Sequence, residues 1–177
     1  MASKAEDITR YRFDSSDRLL LDANIWLSVY GPQRPGDRRV AVYSSALDNI
    51  LKAGSRVHID VLVMSEFINT YARLKWQILA PSSKFKEFRN SLQFESVAQD
   101  IAADARLVLK NCIRVDDRFE LIGIDALLNE YAAGHSDFND QVLAELCARN
   151  GLKIVTDDGD FRGCGIPVIT ANRRLLS

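Results

Sequence analysis

Four acidic positions carry the strongest chemical signal in the 177-residue chain: Asp22, Glu66, Asp140 and the pair Asp157-Asp158. Asp22 ends the uninterrupted apolar run Leu19-Leu20-Leu21, and a helix-like pattern begins immediately after it. In open parallel α/β sheets, ligand sites collect at the carboxyl ends of strands. Glu66 lies one or two turns into the helix expected after a second strand. Asp140 lies in the first turn of a later helix, and Asp157-Asp158 end the strand that follows that helix. If the strands are neighbours, these carboxylates converge on one edge. There they repel, so either their pKa values rise or a cation neutralises them. Hard divalent ions such as Mg²⁺ and Mn²⁺ take oxygen ligands. Two such ions, roughly 3.5–4 Å apart, activate a water and stabilise the leaving oxygen of a phosphodiester. The helix N-terminus under Asp140 adds a favourable field of about 0.3–1 kcal/mol.

Each acid also has a plain structural reading. Asp22 could simply cap the helix that follows it, and Glu66 could be a solvated helix residue. Asp140 could be a first-turn acid favoured by the helix dipole, with Asp137 or Ser136 as the N-cap. Asp157-Asp158-Gly159 could be only a turn. The weight comes from all four falling at comparable strand-to-helix junctions.

The elements that must position these acids are legible as an alternation of helices and short apolar strands. Residues 1–17 read as a polar, loose lead-in, and residues 18–177 as a single domain. Leu19–Asp22 is the first predicted strand. Ala23 to Tyr30 is a short helix stopped by Gly31-Pro32, since proline cannot continue a helix. A loop with Arg34, Arg38 and Arg39 follows. Val40, Tyr43, Leu47, Ile50 and Leu51 then recur at helical spacing, up to Gly54. Val57 to Ile59 is a second strand, and Asp60 caps a helix with the inward stripe Val63, Phe67, Tyr71, Leu74 and Ile78. Pro81-Ser82-Ser83 ends it, and residues 84–93 resist assignment. Glu95 to Lys110 is a helix, Ile113 to Val115 a third strand, and Ile124 to Ala133 a further helix. Residues 80–118 read as a helical insertion. The helix opened by His135 to Asp140 closes at Asn150-Gly151. Lys153 to Thr156 and Pro167 to Thr170 are the last strands. This pattern predicts a three-layer α/β/α sandwich around a short central parallel sheet with right-handed crossovers.

Composition bounds the function classes. With 47% hydrophobic and 27% charged residues the chain supports one globular core and is not a disordered segment. A net charge of −1 lacks the strongly basic balance usual for nucleic-acid binders. A site that meets phosphate through metal ions needs less protein charge. Cys112, Cys147 and Cys164 are odd in number and widely spaced, which suggests neither a disulfide framework nor a zinc site. Only His58 and His135 are present, which argues against a His-rich centre. No secretory signal and no run approaching about 18 apolar residues is visible, so a cytoplasmic, reducing compartment is expected.

Four motifs in order resemble the PIN-domain nucleases, a group that includes the VapC-type toxin ribonucleases of bacterial toxin–antitoxin pairs. They are Leu20-Leu21-Asp22-Ala23-Asn24, Ser65-Glu66-Phe67, Phe138-Asn139-Asp140 and Val155-Thr156-Asp157-Asp158-Gly159-Asp160-Phe161. The resemblance spans Arg18 to Thr170. It implies a metal-dependent endoribonuclease whose Mg²⁺ or Mn²⁺ is held by Asp22, Glu66, Asp140 and Asp158, Asp158 being chosen because it stands two after Thr156. It also implies hydrogen-bonding support from Asn24 and Thr156, with Asp157 and Asp160 as nearby acids of lesser standing. Asp137 is an additional acid that could share or replace the role of Asp140. An RNA substrate, an antitoxin protein and a homodimer are the partners it implies.

Other residues are weaker candidates. Arg34, Arg38 and Arg39, and separately Lys84, Lys86 and Arg89 with Phe85 and Phe88, could contact an RNA backbone and its bases. The plain alternative is a solvated face with a few core anchors. Trp26 and Trp76 read as core or dimer contacts and His58 as packed. Two rival functions stay open. One is a PIN-like module that binds RNA or protein without cutting. The other is a phosphotransfer domain using Asp22, although Asn24 stands where that chemistry expects a second acid.

Overall fold

The computed structural model describes residues 5–134 and 137–177, so the expectation placed on His135 and Ser136 lies outside the described residues. Six parallel strands form one sheet in the order β1-β6-β5-β2-β3-β4. These are β1 (Glu6–Asp7), β2 (Arg18–Leu21), β3 (Arg56–Ile59), β4 (Ile113–Arg114), β5 (Lys153–Val155) and β6 (Val168–Thr170). The helices are α1 (Ala23–Tyr30), α2 (Arg38–Lys52), α3 (Val61–Leu79), α4 (Phe85–Arg89), α5 (Leu92–Lys110), α6 (Ile124–Ala132), α7 (Phe138–Asn150) and α8 (Arg173–Leu176). The predicted three-layer α/β/α architecture is the observed one.

The strand sequences reflect cover on both faces. Leu19, Leu20 and Leu21 are all fully buried, which is why β2 is a continuous apolar run and does not alternate. The chain moves from β2 to β3 to β4 in one direction, then returns across the sheet through α6 and α7 to β5 on the other side of β2. Right-handed crossovers running in opposite directions put their helices on opposite faces. The cleft between the carboxyl ends of β2 and β5 is therefore a topological switch point, the place where such sheets build ligand sites. Two glycines make this path workable. Gly151, at φ +62°, ends α7 in the left-handed region and turns the chain into β5. At Gly31, which ends α1, a β-carbon would stand 2.6 Å from the Leu27 carbonyl oxygen.

Three features differ from the sequence expectation. The lead-in is not loose: Glu6–Asp7 pair in parallel with Ile169–Thr170, and Ile8 is buried. A two-residue strand with a partner some 160 residues away leaves no local pattern to read. The arginine loop is shorter than expected, because Asp37 caps α2 and draws Arg38 and Arg39 into its first turn. The unassigned stretch 84–93 contains α4, where Phe88 is buried against Phe94 and Phe85 packs edge-on to Trp76. Those aromatics are core anchors, as the plain alternative held. Trp26 is fully buried, and the Trp76 indole N–H donates to the Ser83 carbonyl (3.0 Å). Ile78, predicted to face inward, is exposed near the end of α3. His58 is buried as expected. No helix among the described residues is long and apolar enough to cross a membrane.

At the opposite, strand-start edge, a polar network ties the lead-in to the sheet. Asp17 is only 4% exposed and accepts hydrogen bonds from the Tyr11 hydroxyl (2.8 Å), the Asp14 amide (3.1 Å) and Lys153 Nζ (2.8 Å). Removing the lysine leaves a buried carboxylate with two neutral donors. Because Lys153 is itself partly exposed, the cost is below that of a fully buried pair. Lys153→Met is expected to lower unfolding free energy by about 2 kcal/mol, read as a reduced urea midpoint at unchanged m-value.

Candidate functional site

Asp22 stands at the end of β2 and does two jobs at once. One carboxylate oxygen, Oδ1, accepts the Ala23 amide (2.6 Å), so the residue is the N-cap of α1. The other, Oδ2, accepts the Thr156 hydroxyl (2.7 Å) and the Asn24 amide nitrogen (2.5 Å). Thr156 follows β5 directly and is fully buried. Its Oγ1 also accepts the Asp158 amide (3.0 Å), while Asn24 Oδ1 accepts the Asp157 amide (3.1 Å). Asn24 and Thr156 thus stitch the ends of the two central strands together around one carboxylate. Despite three donors, burial pushes the Asp22 carboxyl above its usual range, and the charge of Asp158 pushes it further.

The other acids arrive from separate elements. Asp140 lies in the first turn of α7, and its carboxyl is pushed up to about 7, first by burial and then by Asp158, Asp22, Asp137 and Asp160. Glu66, in the second turn of α3, is exposed along its side chain, yet its carboxyl is also raised, first by partial burial and then by Asp22, Asp137 and Asp158. Asp158 caps the short 3₁₀ turn Gly159–Phe161 by accepting the Asp160 amide (3.0 Å). Asp137 is the N-cap of α7 and accepts the Asn139 amide (2.8 Å). Asp22, Asp158 and Asp137 each act electrostatically on both Glu66 and Asp140, and Asp160 acts on Asp140.

Asp157 is placed differently. Successive residues at a strand end point to opposite sides, and the Asp157 carboxylate turns away from the acids. Its Oδ1 accepts the buried Tyr43 hydroxyl (2.6 Å), and Arg39 lies 3.8 Å from Oδ2. Tyr43 in turn accepts the Ala171 amide (3.1 Å), and the Asn172 side chain donates to the Asp157 carbonyl (2.7 Å). Tyr43 and Asn172 are residues that the sequence does not assign to the site, while Arg39 reads in the sequence only as a candidate RNA-backbone contact. Tyr43 shows in the sequence only as one member of an apolar helical stripe, which says nothing of where its hydroxyl ends.

The donor set answers what cofactor fits. All four principal groups are carboxylates, and among the described residues no lysine or arginine pairs with any of them. Raised carboxyls without a counter-charge match a hard divalent cation. Among the described residues no three His, Cys, Asp or Glu side chains form a ready-made cage.

Comparison with known proteins gives the following. The family model for the PIN domain matches residues 19–167. A solved structure of FitAB bound to an IR36 DNA fragment is similar at 21% sequence identity and a TM-score of 0.42, covering 86% of this chain and 94% of that chain. No curated protein matches.

The charge cluster makes stability depend on pH in metal-free protein. The Asp140 carboxyl titrates near 3.8 when unfolded and at about 7 when folded. Between those values the folded state holds a proton that the unfolded state has lost, so stability falls as pH rises through that window. The extra stability is fully present below the lower value and gone above the upper. Asp140→Asn is expected to flatten this dependence and to raise stability at pH 8 in EDTA by about 2–4 kcal/mol over the parent, with the difference shrinking toward pH 4. Urea unfolding across that range measures it.

Proposed function

The chain belongs to the PIN domain family, and from that premise we propose that it is a metal-dependent nuclease, specifically an Mg²⁺- or Mn²⁺-dependent endoribonuclease. The observation that carries the reading is the uncompensated carboxylate cluster at the β2–β5 switch point, where Asp22, Glu66, Asp140 and Asp158 repel one another without a protein cation. Those four residues would hold the ion. When bound, a divalent ion supplies activation of an attacking water and neutralisation of phosphate charge. The chain's own residues do the rest. Asp22 is held in one orientation by Thr156, Asn24 and the α1 N-terminus. A ligand oriented through such outer partners keeps its geometry during turnover. The Asp140 carboxyl, raised to about 7 by burial and by neighbouring acids, would have to give up its proton to hold an ion, so ion binding would strengthen as pH rises through neutrality.

No serine or cysteine nucleophile enters the proposal. Cys147 is buried and its thiol is pushed up by that burial, so it is not a ready thiolate. A role as the toxin of a toxin–antitoxin pair, an antitoxin partner and a homodimeric state belong to the same proposal and rest on family membership.

Asp22→Asn is expected to reduce Mn²⁺-dependent cleavage of a labelled RNA by at least about a hundredfold and to weaken Mn²⁺ binding in calorimetry. Asp157→Asn, in contrast, is expected to lower stability by about 1–2 kcal/mol through the lost Tyr43 contact and to retain most of the cleavage. Undiminished cleavage by Asp22→Asn overturns the assignment. Absence of any Mn²⁺ binding by the parent protein favours a PIN-like module that binds without cutting.

A further inference from the structure

The strand-end edge of the sheet is electrically lopsided. Five arginines stand on its α2–α8 flank: Arg34 before α2, Arg38 and Arg39 in its first turn, and Arg173 and Arg174 at the start of α8, just past β6. All five are exposed. Two clefts run between them and meet at Arg39. One, about 260 Å³, is lined by Asn24, Ser28, Gln33, Arg34 and Arg39 among others. The second, about 400 Å³, is lined by Arg38, Arg39, Asp157 and Arg173 among others. Asn24 connects the first cleft to the carboxylates, since its amide nitrogen donates to Asp22 Oδ2. The path is continuous from Asp22 through Asn24 to Arg39 and on to Arg38 and Arg173.

The acids along this path are already spoken for: Asp7, which also lines the second cleft, accepts the Thr9 amide and hydroxyl and lies 3.8 Å from Arg10. Asp37 binds the Arg39 guanidinium through both oxygens (2.6–3.1 Å), which holds its carboxyl down at about 2. Asp157 accepts the Tyr43 hydroxyl. Arg39 is thereby held between Asp37 and Asp157 where the clefts meet, while Arg38 and Arg173 have neither an ion pair nor a side-chain hydrogen bond among the described residues. The opposite flank is the reverse. There a cavity of about 340 Å³ is lined by Asp140, Asp160, Glu130 and Glu145, with Arg162 in its wall and Arg149 3.5 Å from Glu145, so Asp140 and Asp160 carry its acidic character. A polyanion approaching the carboxylate cluster is repelled on that side and attracted on the other.

We infer that the two clefts joined at Arg39 form a phosphate track that leads single-stranded RNA to the carboxylates, with Arg38 and Arg173 contacting backbone phosphates. The inference rests on the nuclease reading and deepens it by naming the side from which substrate enters. Phosphate contacts position a strand without reading its bases, so the track acts on RNA of any sequence. The second basic cluster, Lys84, Lys86 and Arg89, lies beyond Trp76. That residue is ten positions past Glu66 along α3, roughly 15 Å of helix, and the cluster plays no part in the track.

The test is fluorescence anisotropy with a labelled single-stranded RNA oligonucleotide of mixed sequence, in EDTA so that cleavage does not compete, over a range of salt concentrations. Arg38→Gln/Arg173→Gln is expected to weaken binding on the order of tenfold and to reduce the slope of log K against log salt by roughly 1.4, about 0.7 for each lost contact. Lys52→Gln/Arg56→Gln removes the same charge from the strand-start edge, where α2 ends and β3 begins, and is expected to leave affinity and slope unchanged. Equal losses in both double variants overturn the track, because net charge alone then explains the binding. Parent-like binding by Arg38→Gln/Arg173→Gln in a protein that cuts RNA with Mn²⁺ also overturns it and leaves the nuclease reading standing. A parent protein that neither binds nor cuts RNA removes both.

Discussion

Everything at the strand-end edge depends on one buried carboxylate. Asp22 is 4% exposed, and taking a charge that far out of water costs several kcal/mol unless donors replace the lost hydration. Three donors do so in part, and hydrogen bonds to a charged group contribute about 1.5–3 kcal/mol each. Each of these donors is also a constraint on the backbone. The Ala23 amide starts α1, Thr156 fixes the end of β5, and Asn24 bridges the two. The burial of Asp22 therefore dictates how β2 and β5 terminate, and through the Thr156 hydroxyl it sets the backbone position of Asp158 as well.

Nothing in the described protein neutralises the remaining charge. Asp140 and Glu66 add carboxyls whose proton affinity rises first through burial and then because their neighbours are also acids. Such an arrangement weakens the fold by itself, and strain of this kind persists only where the surrounding structure over-determines it. Here that structure is a sheet whose central strands are covered on both faces, with Leu19, Leu20, Leu21, Ile154 and Val155 all fully buried. The core supplies the stability that the acidic edge withdraws.

This division explains what the sequence makes legible. An apolar run ending on an acid marks both a covered strand and a strand-end carboxylate, so Asp22 and the Asp157-Asp158 pair are visible from residue order. Asp140 is visible because Asn150-Gly151 and the buried positions Val142, Leu143 and Leu146 define its helix. Glu66 is fainter, since its place depends on the helix phase set by the Asp60 cap six residues earlier. Neighbouring acids are harder to separate. Residue order offers Asp157 and Asp158 as equals and the family resemblance ranks Asp158 first, but only the alternation of side chains at the strand end shows that Asp157 goes to Tyr43. Long-range partners leave no trace at all. Neither the pairing of Glu6–Asp7 with the last strand nor the reach of the Tyr43 hydroxyl to Asp157 follows from any local pattern.

The contacts around Asp157 bear on the site from outside it. Tyr43 on α2, Asp157 after β5 and the Ala171 amide after β6 join three elements in one chain of hydrogen bonds, and Arg39 enters the same group through Asp37 and Asp157. The start of α2 is thus fixed to the end of β5, one residue from Asp158. Acid and arginine are separated by that single step along the strand, which sends the Asp158 carboxylate to the acidic side and the Asp157 carboxylate to the basic one. A cluster that repels anions and a flank that attracts them are held in fixed relation by two adjacent aspartates. Under the proposed nuclease reading, that relation would let an acidic site accept an anionic substrate, because attraction at the flank would offset repulsion at the centre, and the distance between them is set by covalent geometry and not by a flexible loop.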